Sequence, residues 1–136
     1  MAGTQVEVQA RLLAKSQVEA RVGDVTLRMD EPLSAGGDGT GLTPLQALLA
    51  ALAGCTSITL RLYAQRKGIP LEGVQVRVTL DRPAPGAADP TQRIAQHITL
   101  AGPLDAEQRA RLLEIAGKCP VHRVLEGPLA LEQHLA

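Results

Sequence analysis

Leu42-Thr-Pro-Leu-Gln-Ala-Leu-Leu-Ala-Ala-Leu-Ala-Gly-Cys55 opens the longest apolar segment of the chain, and the rest of the sequence is best read outward from it. Thr43 is a favourable N-cap, Pro44 fits the first helical position, where no N–H is needed, and Gln46 completes a Thr-x-x-Gln capping box. Arg66 and Lys67 suit the negative end of a helix, Gly68 a left-handed cap, and Pro70 blocks continuation. A helix is therefore expected from Pro44 to about Lys67. Its first half is apolar all round, with Leu45, Leu48, Leu49 and Leu52 on one flank and Ala47, Ala50, Ala51 and Gly54 on the other. Such a helix is expected to be buried. A chain of 136 residues has few elements to surround it, and a second copy could supply the missing cover.

Upstream, apolar and polar residues alternate from Gln5 to Leu12, the period of a half-buried strand. Val18, Ala20 and Val22 lead to the turn pair Gly23-Asp24, and Val25, Leu27 and Met29 follow, so residues 16–30 read as a hairpin. Between this meander and the helix, residues 31–42 are rich in glycine. They lack both the Gly-Lys-Ser/Thr ending and the Gly-x-Gly-x-x-Gly spacing of phosphate cradles, so a mobile loop is expected. Downstream, Val74, Val76, Val78 and Leu80 alternate with polar residues, and Ile94, Ile98 and Leu100 mark a hairpin partner. Asp105 with Gln108 caps a helix running to about Lys118, Pro120 starts a short one, and Leu129, Leu131 and Leu135 suggest a last strand. The class is α+β, one domain over residues 1–136, with no internal repeat.

Composition excludes several functions. Fourteen Lys and Arg balance fourteen Asp and Glu, so no net field gathers nucleic acid or an anionic membrane. Tyr63 is the only aromatic residue, which removes the usual stacking platforms for bases. The first residues have neither a basic n-region nor an apolar h-region, and no uninterrupted apolar stretch reaches membrane-spanning length. A cytoplasmic location is expected. In that reducing compartment, two cysteines are either small buried hydrophobes or a redox couple.

Cys55 shares a helix face with Ala51, Leu52, Ile58, Thr59 and Leu62, where burial raises a thiol pKa. To act as a nucleophile it needs a cation or hydrogen-bond donor from elsewhere, and Arg21 and Arg28 are candidates. Cys119 is better served locally. Pro120 places it at the start of a helix, whose free N–H groups favour an anion, and Lys118 and Arg123 are close by in sequence. Cys119 and His122 have the spacing of a metal-ligand pair, but Cys55, His97 and His134 stand at no recognisable distance to complete a zinc site, so no metal is expected. His122 is also a candidate base for cysteine-based acyl transfer, if its imidazole reaches a thiol.

The segment ending in Cys55, followed by Lys118-Cys-Pro-Val-His-Arg-Val-Leu125, closely resembles the OsmC/Ohr family, whose members carry Ser/Thr/Asn-Pro-x-Glu/Gln ahead of a helical cysteine and Cys-Pro near the C-terminus. The resemblance implies antiparallel sheets wrapped around two central helices in an intertwined homodimer. It also implies an organic hydroperoxide reductase without a cofactor, in which Cys55 attacks the peroxide and Cys119 captures the resulting sulfenic acid as a disulfide. An external dithiol or lipoyl-bearing protein would then reduce the pair. One position departs from the pattern: Ohr-type members have a glutamate after the motif proline, pairing with an arginine near the reactive thiol, whereas this chain has Leu45. The alternative is a non-catalytic dimer that binds an apolar small molecule at the subunit interface.

Overall fold

The computed structural model describes residues 3–136 and divides into two compact units, one ending at Leu48 and the other spanning Leu49–Ala136. The boundary falls inside the long helix α1 (Pro44–Lys67).

In the N-terminal unit, β1 (Gln9–Leu12), β2 (Val18–Val22) and β3 (Val25–Met29) form an antiparallel meander in that order. The β2–β3 turn pairs Val22 with Val25 around Gly23, whose φ of +58° is the left-handed conformation that glycine adopts most readily. β1 is shorter than its alternation suggests, beginning at Gln9 rather than Gln5. Leu12, Val22, Val25 and Leu27 remain exposed.

The glycine-rich connection to α1 is tied down, contrary to the expectation of a mobile loop. Asp30, 1% exposed, accepts at Oδ1 from the Ser16 hydroxyl at 2.6 Å and the Glu31 amide at 2.8 Å. At Oδ2 it accepts from the Asp38 amide at 3.2 Å, and from the Thr40 amide and hydroxyl at 3.1 and 2.8 Å. The segment folds so tightly that a Cβ on Gly37 would collide with the Glu31 carbonyl. Charge-assisted bonds of this kind are about twice as strong as neutral ones. The Ser16 hydroxyl foremost, with the Thr40 and Glu31 donors, holds the Asp30 carboxyl well below the usual carboxylate range despite its burial.

The ends of α1 follow the sequence closely. The Thr43 amide donates to Gln46 Oε1 at 3.0 Å and the Gln46 amide to Thr43 Oγ1 at 3.2 Å, which closes the capping box. Gly68 leaves the helix at φ +66°. By length and apolarity α1 meets the criterion for a membrane span, its best window having a mean hydropathy of 1.5, although Arg61 interrupts it. Arg61 donates to the carbonyls of Leu71 and Glu72, and Leu60, Tyr63 and Ala64 enter a packed core. Other α1 residues do not share that burial: Leu45, Leu48, Ile58 and Leu62 are exposed, so the all-round apolar helix is only partly covered within one chain.

The C-terminal unit adds a hairpin of β4 (Gly73–Asp81) and β5 (Arg93–Ala101), then α2 (Ala106–Ala116) and α3 (Pro120–Glu126). The register pairs Val74 with Leu100, Val76 with Ile98, Val78 with Gln96 and Leu80 with Ile94, which puts one mostly apolar face on one side of the sheet. From that face Val74, Ile98 and Leu100 pack against a core of Leu60, Tyr63, Ala64, Leu71, Leu112 and Ile115. Asp105 and Gln108 form the expected capping box of α2. Leu129–Leu135 is not a strand: alternation alone cannot make one without a ladder partner, and Leu131 and Leu135 face solvent.

Candidate functional site

The C-terminal unit brings the two cysteines together as free thiols, Cys55 half-buried on α1 and Cys119 fully buried at the start of α3. Local chemistry explains the second position. Cys119 is the N-cap of α3, its sulfur accepting the His122 amide at 3.3 Å, while Pro120 at N1 has no N–H to satisfy. The next amide, that of Val121, acts on the Cys55 sulfur. One helical turn therefore supplies a backbone donor to each thiol.

Two threonines on α1 complete the arrangement. The Thr59 hydroxyl, one turn beyond Cys55, acts on the Cys55 sulfur. Thr56 is fully buried, with its hydroxyl 3.7 Å from Cys119 Sγ and 2.7 Å from Gln96 Oε1 on β5. The sequence places Thr59 on the Cys55 face but gives no role to Thr56 or Gln96, although it holds a signal: Gln96 interrupts the apolar run Ile94, Ile98, Leu100 on the face that turns inward.

Burial pushes the Cys55 thiol up from its ordinary value, and the Cys119 thiol beside it adds to the rise. The Val121 amide and the Thr59 hydroxyl oppose this without reversing it. Since only the thiolate is nucleophilic, alkylation of Cys55 by iodoacetamide should rise about tenfold per pH unit from pH 7 to 9. Peptide-resolved mass spectrometry at each pH would measure the slope, and a plateau below pH 8 would contradict the raised value.

The other candidates have partners of their own or stand exposed. Arg21 pairs with Glu19 at 2.9 Å, and Arg28 donates to Gln17 at 3.2 Å. Leu45 sits in the first turn of α1 and is exposed. The His122 imidazole is 3.1 Å from Glu126, and its backbone rather than its ring bonds Cys119, which gives no support to the acyl-transfer role. His97 lies opposite Arg77 on the outer face of the hairpin, and His134 is 3.4 Å from Glu132 near the C-terminus. Among the described residues, no three His, Cys, Asp or Glu side chains converge as metal ligands.

Two cavities of about 470 Å³ each flank the thiols' surroundings. One is walled by Leu52, Ile94, Ile98 and Leu125 together with the polar side chains of Gln92, Gln96, His122 and Glu126. The other, with Thr59 in its lining, is cationic: Arg66 and Arg111 lie over the Tyr63 ring at 5.5 and 5.6 Å, and Lys67 and Lys118 also line it. The arrangement is suited to thiol redox chemistry, with two adjacent sulfurs and a backbone donor to each.

Comparison with solved structures supports the same fold. An OsmC-like protein from Mycoplasma pneumoniae superposes with a TM-score of 0.78 at 26% identity, over 93% of this chain and 91% of that one. An organic hydroperoxide resistance protein OsmC from Legionella pneumophila gives 0.65 at 23% identity, over 93% and 94% of the two chains. The organic hydroperoxide resistance protein OhrB of Bacillus subtilis gives 0.61 at 22%, over 93% of each. A search of curated protein sequences finds no match. The model of the OsmC-like protein family matches residues 37–133, a span that holds the capping box of α1, both thiols and the helical turn between them, and the chain belongs to that family.

Proposed function

We propose that this protein is a cytoplasmic, homodimeric thiol peroxidase that reduces organic hydroperoxides through Cys55 and Cys119. The observation that carries the reading is the meeting of the two thiols beneath the first turn of α3. The family, and structural neighbours named organic hydroperoxide resistance proteins, support it.

In the first step the Cys55 thiolate attacks the distal peroxide oxygen. An S–O bond forms, the O–O bond breaks, and the alkoxide leaves as the alcohol after taking up a proton. Cys119, as thiolate, then attacks the sulfenic sulfur; the S–S bond forms and hydroxide departs as water. A dithiol, free or carried as a lipoyl group on a protein, returns both cysteines to thiols and becomes a disulfide itself. No metal or cofactor takes part in this scheme.

The dimer accounts for apolar surface that one chain leaves in water. Leu12, Val22, Val25 and Leu27 on the meander, and Leu45, Leu48, Ile58 and Leu62 on α1, are more than soluble monomers usually expose in such groups. Assembly should appear in native mass spectrometry as a species of twice the chain mass, and a monomer alone would refute it. For the chemistry, intact mass after one equivalent of cumene hydroperoxide should fall by two hydrogens per chain. An unchanged mass and an unchanged thiol count would exclude the peroxidase.

The cavity beside Gln96, with Leu52, Ile94, Ile98 and Leu125 in its wall, favours a second reading, a non-catalytic protein that holds an apolar molecule. Under that reading Cys55→Ala would leave ligand binding and biological function intact.

A further inference from the structure

The polar atoms around Cys119 form a chain that the family motif does not include. Thr56 Oγ1 lies 2.7 Å from Gln96 Oε1 and 3.7 Å from Cys119 Sγ. A hydroxyl has a single proton, so it cannot donate to both acceptors at once. While Cys119 is a thiol, the stronger bond, to Gln96, takes that proton, and the Thr56 oxygen is left to face the S–H.

Ionisation of Cys119 changes the requirement, because a thiolate can only accept. Rotating the Gln96 amide by half a turn exchanges Oε1 for Nε2, which makes Gln96 a donor to Thr56 and frees the hydroxyl proton for the sulfur. The side chain has room for this turn, since it borders a cavity of about 470 Å³. Burial makes the switch consequential. Thr56 and Cys119 are both at 0% exposure, so water cannot stand in for a missing donor. Further polar neighbours of Cys119 are the His122 amide and the Cys55 thiol.

We infer that the Thr56 hydroxyl, oriented by Gln96, is the hydrogen-bond donor that stabilises the Cys119 thiolate when that sulfur attacks the Cys55 sulfenic acid. Gln96 is a positioning residue in this scheme, acting on the sulfur only through Thr56. The resolving role of Cys119 rests on the peroxidase reading, whereas the donor role of Thr56 can be measured without it.

The test starts from Cys55→Ser, in which Cys119 is the only thiol, and follows thiolate absorbance near 240 nm against pH. Adding Thr56→Val, which keeps the shape and loses the hydroxyl, should lower the Cys119 thiolate fraction about tenfold at a given pH below its titration midpoint. Thr56→Ser should restore the parent curve, a rescue that a packing role would not give. Thr56→Ala provides a second hydroxyl-free variant should valine disturb the fold, and it should shift the curve the same way. Superimposable curves for Thr56→Ala or Thr56→Val and the parent would overturn the inference. In protein with both cysteines, Thr56→Val should also slow the loss of sulfenic acid about tenfold after a peroxide pulse. Absence of both sulfenic acid and disulfide in wild type after the pulse would sink the peroxidase reading alone, because the thiolate titration decides the role of Thr56 separately.

Discussion

Cys55→Ser should lower hydroperoxide consumption by about a thousandfold or more, the largest functional effect expected of any single substitution here. A serine hydroxyl gives up its proton far less readily than even a thiol whose pKa is raised, and it is the weaker nucleophile, so the donors that act on the Cys55 sulfur would have almost no anion to stabilise. Cys119→Ser should behave differently. Serine is itself a good N-cap, so α3 should keep its first turn, and the variant should complete one round of peroxide reduction before stopping. Cys55 would then persist as a sulfenic acid, trapped by dimedone, and pass to the irreversible sulfinic acid with excess peroxide. Peroxide consumption measured with a dithiol reductant checks the first variant, and intact mass the second. Full turnover by Cys55→Ser would remove Cys55 as the nucleophile.

The largest structural effect is expected at Asp30. Asp30→Ala would leave five donors without an acceptor: the hydroxyls of Ser16 and Thr40 and the amides of Glu31, Asp38 and Thr40. Exchange of those three amides with deuterium should accelerate roughly a hundredfold or more as residues 31–42 open. Asp30→Asn should also be costly, since an amide nitrogen would face donors that now meet a carboxylate oxygen. The same interactions set an acid dependence. Because the folded-state pKa of Asp30 is depressed, its contribution to stability is fully present above the ordinary carboxyl value of 3.8 and is lost as pH falls toward the folded-state value. Protection of the Glu31, Asp38 and Thr40 amides should therefore weaken in acid below about pH 4, and protection that stayed constant to pH 2 would contradict the assignment.

Much of the fold was legible because its signals are local. The Thr43–Gln46 box, Pro44 and Gly68 set the ends of α1; Asp105 and Gln108 set the start of α2; and the two β-hairpins followed from alternation around turn residues. The failures are non-local. Residues 31–42 looked loose because their glycines permit many conformations, and what orders them is one carboxylate placed by the neighbouring strand. Leu129–Leu135 looked like a strand because its alternation says nothing about whether a ladder partner exists.

The two thiols divide in the same way. The sequence by itself determined that Cys119 would cap a short helix, since Pro120 follows it, and that Cys55 would lie on an apolar helix, since the residues around it have that period. Resemblance to a family paired them. The tertiary structure added the donors that come from elsewhere in the chain, because such a hydrogen bond depends on distances of a few ångströms between atoms far apart in sequence. These are the Val121 amide at Cys55 and the Thr56 hydroxyl at Cys119, beside the Thr59 hydroxyl and the His122 amide that stand within a turn of each sulfur. No spacing in the sequence shows that Gln96 stands behind Thr56, for that follows from how β5 packs across α1.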